Sequence, residues 1–171
     1  MLDQKKINFS NYSSPSLDIN GQNYRPDVNK VQSLVSRGAS IILNDIQKHN
    51  LNLLKFVDDL QKLTNGRCQG NLYFSMASHQ AFGPHFDLHD VFAIHFEGEK
   101  VWNIYENIEK SPINHPVFKL SGDERRKRAG KIIEQVTLRP GDLLYIPRGQ
   151  YHDALASQNG AIHIAFGLTY F

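Results

Sequence analysis

From about residue 70 onward the chain alternates. The runs "NLYFSMAS", "HDVFAIHFEGEKVWNIYEN", "QVTLRPGDLLYIP" and "AIHIAFGLTYF" interleave aromatic and β-branched residues with polar ones at period two. Glycine and proline break these runs at "FGPH", "FEGEK", "RPGD" and "PRGQ". Short antiparallel strands joined by tight turns follow, and such a set must close into a barrel or sandwich to cover its edges. The expected fold is therefore mainly β with flanking helices packed on the outside.

The helical part lies ahead of the strands. Leu51, Leu54, Phe56, Val57, Leu60 and Leu63 recur near 3.6-residue spacing, and Gly66 follows as a candidate C-cap. "GASIILND" reads as a short strand, with Asn44 or Asp45 capping the next helix. Residues 1–26 are rich in Asn, Ser, Asp and Pro and read as an irregular N-terminal arm. Residues 27–171 form the domain proper, and 171 residues suit a single domain. Between strands, "SGDERRKRAGKIIEQ" is a basic, partly helical surface segment through Arg125, Arg126, Lys127, Arg128 and Lys131.

The formal net charge of +2 is too small to point to nucleic acid or to an anionic membrane. The N-terminal stretch has no apolar centre of the signal-peptide kind, and no run approaches the ~18 apolar residues of a membrane span. Cys68 is the only cysteine, which excludes an intrachain disulfide and fits a reducing compartment. The expected location is cytoplasmic, and an oligomer is compatible with the sequence.

One stretch departs from ordinary strand chemistry. "AFGPHFDLHDVFAIHF", residues 81–96, places several ionisable groups in an apolar run, where burial is costly without partners. His85 and Asp87 are two apart, so in a strand they share one face and Phe86 takes the other. A third group from another strand, His152 in "PRGQYHDALA", would complete two imidazoles and one carboxylate. That set caps one face of an octahedral ion and leaves open positions, the arrangement of non-haem Fe(II) oxygenases. A closed structural zinc site would need four protein ligands. The simpler alternative is a His–Asp pair satisfying a half-buried strand.

Lys100 begins the strand after the "FEGEK" turn. Spacing leaves two readings open: a solvated turn lysine, or an inward ammonium that needs an anion. The distal carboxylate of 2-oxoglutarate would be such an anion. Tyr73 could add a hydroxyl hydrogen bond to the same group, or could be ordinary core.

"GPHFDLHDVFAIHFEGEKVWNIYE" together with "LRPGDLLYIPRGQYHDALA" resembles the JmjC-type, cupin-like 2-oxoglutarate oxygenases, and within them the bacterial ribosomal-oxygenase type of protein hydroxylase. The resemblance covers roughly residues 70–171. It implies a double-stranded β-helix of the cupin or jelly-roll kind, with His85, Asp87 and His152 as Fe(II) ligands and catalytic centre. It places Lys100, fifteen positions after His85, on the 2-oxoglutarate carboxylate, and matches Tyr73 to a tyrosine twelve positions before it. Trp102 falls in an aromatic position that looks like core. His95 stands where relatives often carry glutamine. Members of that type continue past the barrel with helical dimerisation and winged-helix-like regions, which this sequence does not contain.

The expectation is thus a 2-oxoglutarate-dependent dioxygenase with Fe(II) and O2, hydroxylating a C–H bond of a protein or peptide side chain and releasing succinate and CO2. A small-molecule substrate fits a lone barrel as well. A non-catalytic metal cupin, or a cupin of another reaction class using His89 or His163, is the alternative. Phe82, Phe86, Tyr145 and Tyr151 are candidates to line the pocket.

Overall fold

The computed structural model describes the whole chain except residues 3, 20, 77–79 and 171 and the side chains of 18 and 158. The tail of the "NLYFSMAS" run therefore lies outside the described residues. The elements in order are β1 (Ser13–Asp18), β2 (Gly21–Pro26), α1 (Val28–Ser36), β3 (Ile41–Leu43), α2 (Leu51–Thr64), β4 (Gly66–Ser75), β5 (Asp90–Ile108), α3 (Gly122–Ala129), β6 (Ile132–Leu138), β7 (Leu143–Ile146) and β8 (Gln150–Tyr170).

The main sheet runs β3-β4-β8-β5-β6, with β7 also paired to β5. β5 and β8 are long enough to serve both halves of the fold. β8 pairs along most of β5 on one edge, while β7 takes Val91–Ile94 and β6 takes Lys100–Tyr105 on the other. The β5–β8 ladder shifts register between His95 and Glu97 and again between Gly98 and Lys100. Such bulges bend a strand and sharpen its twist. Gly98 sits at the bend with φ +66, and a Cβ there would stand 2.1 Å from the Gly160 carbonyl oxygen. Only glycine lets the two backbones cross so closely. The folded-over sheet is the double-stranded β-helix expected from the sequence.

Period two then divides the core. Ile164, Phe166 and Leu168 meet Val57 of α2 on the outer face, with Phe92 and Ile94 packed against them. Val91, Ala93, Trp102, Leu138 and Ile146 fill the other face, inside the barrel.

Three local expectations need correction. The N-terminal arm is not irregular throughout, because β1 and β2 pair antiparallel as a hairpin. Its few apolar residues, such as Leu17 and Tyr24, stay exposed, so no buried face marks it in the sequence. The hairpin is tied on by the Ser14 hydroxyl donating to Asp27 at 2.7 Å and by Lys30 Nζ donating to the Ser13 carbonyl at 2.6 Å. Neither Asn44 nor Asp45 caps α2; Asn50 does, accepting from the amides of Asn52 and Leu53 at 3.0 and 3.1 Å. At the other end Asn65, not Gly66, takes the left-handed position at φ 52. Gly66 is instead the first residue of β4.

Candidate metal centre

The H-x-D segment is not a regular strand. Residues 80–89 form a bent, irregular connection between β4 and β5, with one bridge at His85, and β5 begins only at Asp90. Pro84 brings no N–H, so a continuous ladder there would lack a donor. The segment is pinned at single points. His85 and His152 form an isolated antiparallel bridge. His85 N–H donates to the His152 carbonyl at 3.0 Å and His152 N–H returns to His85 at 2.8 Å. Two residues on, the Gly149 amide donates to the Asp87 carbonyl at 3.0 Å.

The side chains still alternate, and His85 and Asp87 meet His152 on one side. One ligand atom from each of the three lies within 4.8 Å of the other two. His152 Nε2 stands 3.6 Å from Asp87 Oδ2. Both imidazoles are oriented by their own backbone. Nδ1 of His85 is 2.9 Å from the Gly83 carbonyl, and Nδ1 of His152 is 2.9 Å from the Gln150 carbonyl. A carbonyl can only accept, so each Nδ1 carries a proton and Nε2 is the ring atom left to face a metal. Burial, reinforced by the neighbouring His85, pushes His152 well below the ordinary histidine range and keeps it neutral. Two imidazoles and a carboxylate, converging with no fourth protein donor in the group among the described residues, fit a divalent cation with open coordination positions.

Farther into the barrel, Lys100 is 5% exposed. Its Nζ donates to the Ser75 hydroxyl at 3.0 Å and lies 3.5 Å from Nδ1 of His163. Burial lowers this ammonium from 10.5 to about 8. Tyr73 stacks on His163 at 4.8 Å with the rings 7° from parallel, and burial raises its hydroxyl to about 12. Phe82 bridges outward, 6.3 Å from Tyr73 and 5.6 Å from His85. Lys100 and Tyr73 thus share one chamber with His163 between them.

Sequence reasoning did not place the aromatic column inside that chamber. His163 stacks on His95 at 5.2 Å. Trp102 Nε1 donates to His95 Nε2 at 3.1 Å. On its other side Trp102 lies 6.1 Å from His152. Trp102 is core, as its position suggested, but core that touches a candidate ligand. His95 Nε2 accepts, so its proton is on Nδ1, which is buried without a partner. Burial, with Lys100 adding repulsion, holds His95 down at about 4. Nothing in the run "FAIHF" announces these contacts, since they depend on His95 pairing with His163 across the ladder.

Other candidates fall elsewhere. His89 lies against Gly167, where an added Cβ would meet its ring at 2.8 Å, and it is not one of the converging ligand groups. Of the four aromatic pocket candidates, Phe82 alone packs on His85. Phe86 faces away, toward Phe118 and Tyr151. Tyr151 is buried with Tyr105 and Ala129, its hydroxyl on Glu109. Tyr145 packs at a tilt against Phe92 and donates to Asp90.

Comparison with known proteins bears on this geometry. Residues 44–171 match the family described as JmjC domain. The chain is 31% identical over 165 residues to the bifunctional lysine-specific demethylase and histidyl-hydroxylase NO66 of Dictyostelium discoideum, covering 94% of this chain and 31% of that protein. It is 28% identical over 162 residues to ribosomal oxygenase 1 of Homo sapiens, covering 90% of this chain and 25% of that protein. The chain therefore spans a third or less of the length of these curated relatives. Among solved structures, YcfD of Escherichia coli superimposes with a TM-score of 0.64 at 23% identity, over 92% of this chain and 40% of that one. The ribosomal oxygenase YcfD in complex with cobalt and 2-oxoglutarate gives 0.60 at 20% identity, over 88% of this chain and 37% of that one. These likenesses are ones of fold.

Proposed function

The chain belongs to the JmjC domain family, and on that premise we propose that it is an Fe(II)- and 2-oxoglutarate-dependent oxygenase that hydroxylates a C–H bond of a protein or peptide side chain. Nε2 of His85, the carboxylate of Asp87 and Nε2 of His152 would hold the metal. When bound, the metal supplies the centre where 2-oxoglutarate and O2 are converted to succinate and CO2 as a hydroxyl is placed on the substrate.

The chain's own residues supply placement. The backbone carbonyls of Gly83 and Gln150 accept from the two Nδ1 atoms and so aim both Nε2 atoms at the metal position. Lys100 binds the distal carboxylate of 2-oxoglutarate, and Ser75 and His163 hold its ammonium in position. Tyr73, packed against His163, adds a hydroxyl to the same wall. Trp102 backs His152 and keeps water from that side of the pocket.

The single observation that carries the reading is Lys100. An ammonium 5% exposed, lowered by burial and paired with no carboxylate among the described residues, is a costly residue unless an anion joins it. A dicarboxylate anchored on the metal supplies that anion. A metal cupin of another reaction class has no use for a buried cation here.

Support for a protein or peptide substrate comes from the names of the relatives, which include a histidyl-hydroxylase and a ribosomal oxygenase. No helix of the described residues is long and apolar enough to cross a membrane. A cytoplasmic location, with Cys68 reduced and buried, is part of the same reading.

The test is succinate formation from 2-oxoglutarate with Fe(II) and O2, with and without peptide pools. Wild type should form succinate and His85→Ala should not. Wild type that takes up iron yet never turns over 2-oxoglutarate would refute the reading.

A further inference from the structure

The reverse side of the ligand segment bears a second cavity. Along residues 85–88, His85 and Asp87 turn toward the metal group, and Phe86 and Leu88 turn away. Phe86, Leu88 and Phe118 line a cavity of about 120 Å³, rimmed by His115, Lys119 and Arg125. No lining residue is acidic. Two carboxylates of this region are engaged: Glu109 accepts from Tyr151 and Arg128, and Glu124 closes the capping box of α3 with Ser121.

Arg125 comes from the basic run that the proposed reaction does not use. Its Nε is out of solvent and has no hydrogen-bond partner among the described residues. A guanidinium N–H that has lost water without gaining an acceptor is unfavourable, and a charged acceptor reverses that most effectively. Guanidinium and carboxylate match as planar, two-pronged partners. The apolar floor asks for carbon beside the charge. A cavity of about 150 Å³ holds benzene, so a space of about 120 Å³ has room for a stem of similar or smaller size.

We propose that this cavity is a second ligand site, taking a carboxylate on a short apolar or aromatic stem, with Arg125 holding the carboxylate and Phe86, Leu88 and Phe118 covering the stem. The carboxylate could belong to a free small acid or to an acidic side chain of a bound peptide. The site does not rest on the proposed reaction and needs no metal to form.

The test is calorimetric titration of the metal-free full chain with benzoate, benzamide, inorganic phosphate, acetyl-Gly-Glu-Gly-amide and its glutamine counterpart. Wild type should bind benzoate, with benzamide and phosphate at least ten-fold weaker. Arg125→Gln should weaken benzoate at least ten-fold, and Leu88→Trp, which fills the space, should abolish it. Thermal melts of both variants report whether they fold. Lys100→Met, which removes the buried ammonium on the other side of the ligand segment, should leave benzoate binding unchanged. Binding of the glutamate peptide over the glutamine one assigns the site to a peptide side chain, and binding of benzoate alone assigns it to a free acid. The proposal is overturned if neither benzoate nor the glutamate peptide binds. It is equally overturned if binding survives Arg125→Gln in folded protein, disappears with Lys100→Met, or is matched by phosphate.

Discussion

His85 and His152 exchange both backbone hydrogen bonds, at 3.0 and 2.8 Å, in an isolated bridge apart from the regular strand pairings. The pairing joins a connection between β4 and β5 to the start of β8, two parts of the chain 67 positions apart by residue number (152 − 85). A metal held by both imidazoles would close the same junction a second time. Cobalt(II) added to the purified chain should therefore raise the melting temperature. At a hundred-fold excess over its dissociation constant the gain is about 2.7 kcal/mol. Asp87→Ala and His152→Ala should each lose most of the shift, read by thermal denaturation with and without metal.

Lys100 should lower the stability of the empty protein. An ammonium moved from 10.5 to about 8 by burial corresponds to as much as about 3 kcal/mol lost at neutral pH. Its folded pKa lies below its unfolded one, so between about pH 8 and 10.5 the unfolded chain binds more protons, and stability rises with pH across that window. Lys100→Met should melt above wild type at pH 7, with the advantage shrinking as the pH approaches 10.5. Equal melting temperatures at pH 7 would mean the amine is better solvated than its burial indicates.

His95 acts as an acceptor. Removing it by His95→Leu strands the Trp102 indole N–H in the barrel and should cost about 1–3 kcal/mol in chemical denaturation. His95→Gln keeps an acceptor within reach and should stay within about 1 kcal/mol of wild type. If the two variants prove equally stable, the indole contact contributes nothing.

Tyr73 separates its ring from its hydroxyl. Tyr73→Phe keeps the stack on His163 and should melt close to wild type. Losing a hydrogen bond worth about 1 kcal/mol should weaken 2-oxoglutarate about five-fold, measured by equilibrium binding. An unchanged affinity would return Tyr73 to plain packing.

Much of this was legible in the residues because it depends on short spacing. His85 and Asp87 alternate with Phe86 and Leu88 whether or not the backbone is a formal strand, so their shared side survives the correction to an irregular connection. Lys100 was ambiguous from spacing, since a residue after a Gly turn faces in or out according to bulges that only the paired strands reveal. The contacts that join His95, His163 and Ser75 were not legible for a related reason. They meet through register across β4, β8 and β5, a long-range property with no local signal. The β1–β2 hairpin escaped because "SSPSLD" and "GQNYRP" bury no apolar face; its pairing is carried by backbone hydrogen bonds.

The most direct test of the central claim is titration of 2-oxoglutarate into the cobalt(II)-loaded chain. The account predicts one binding event per chain that requires the metal and is at least ten-fold weaker in Lys100→Ala. Metal-loaded wild type that does not bind 2-oxoglutarate, or a Lys100→Ala variant that binds it as tightly, would contradict the account.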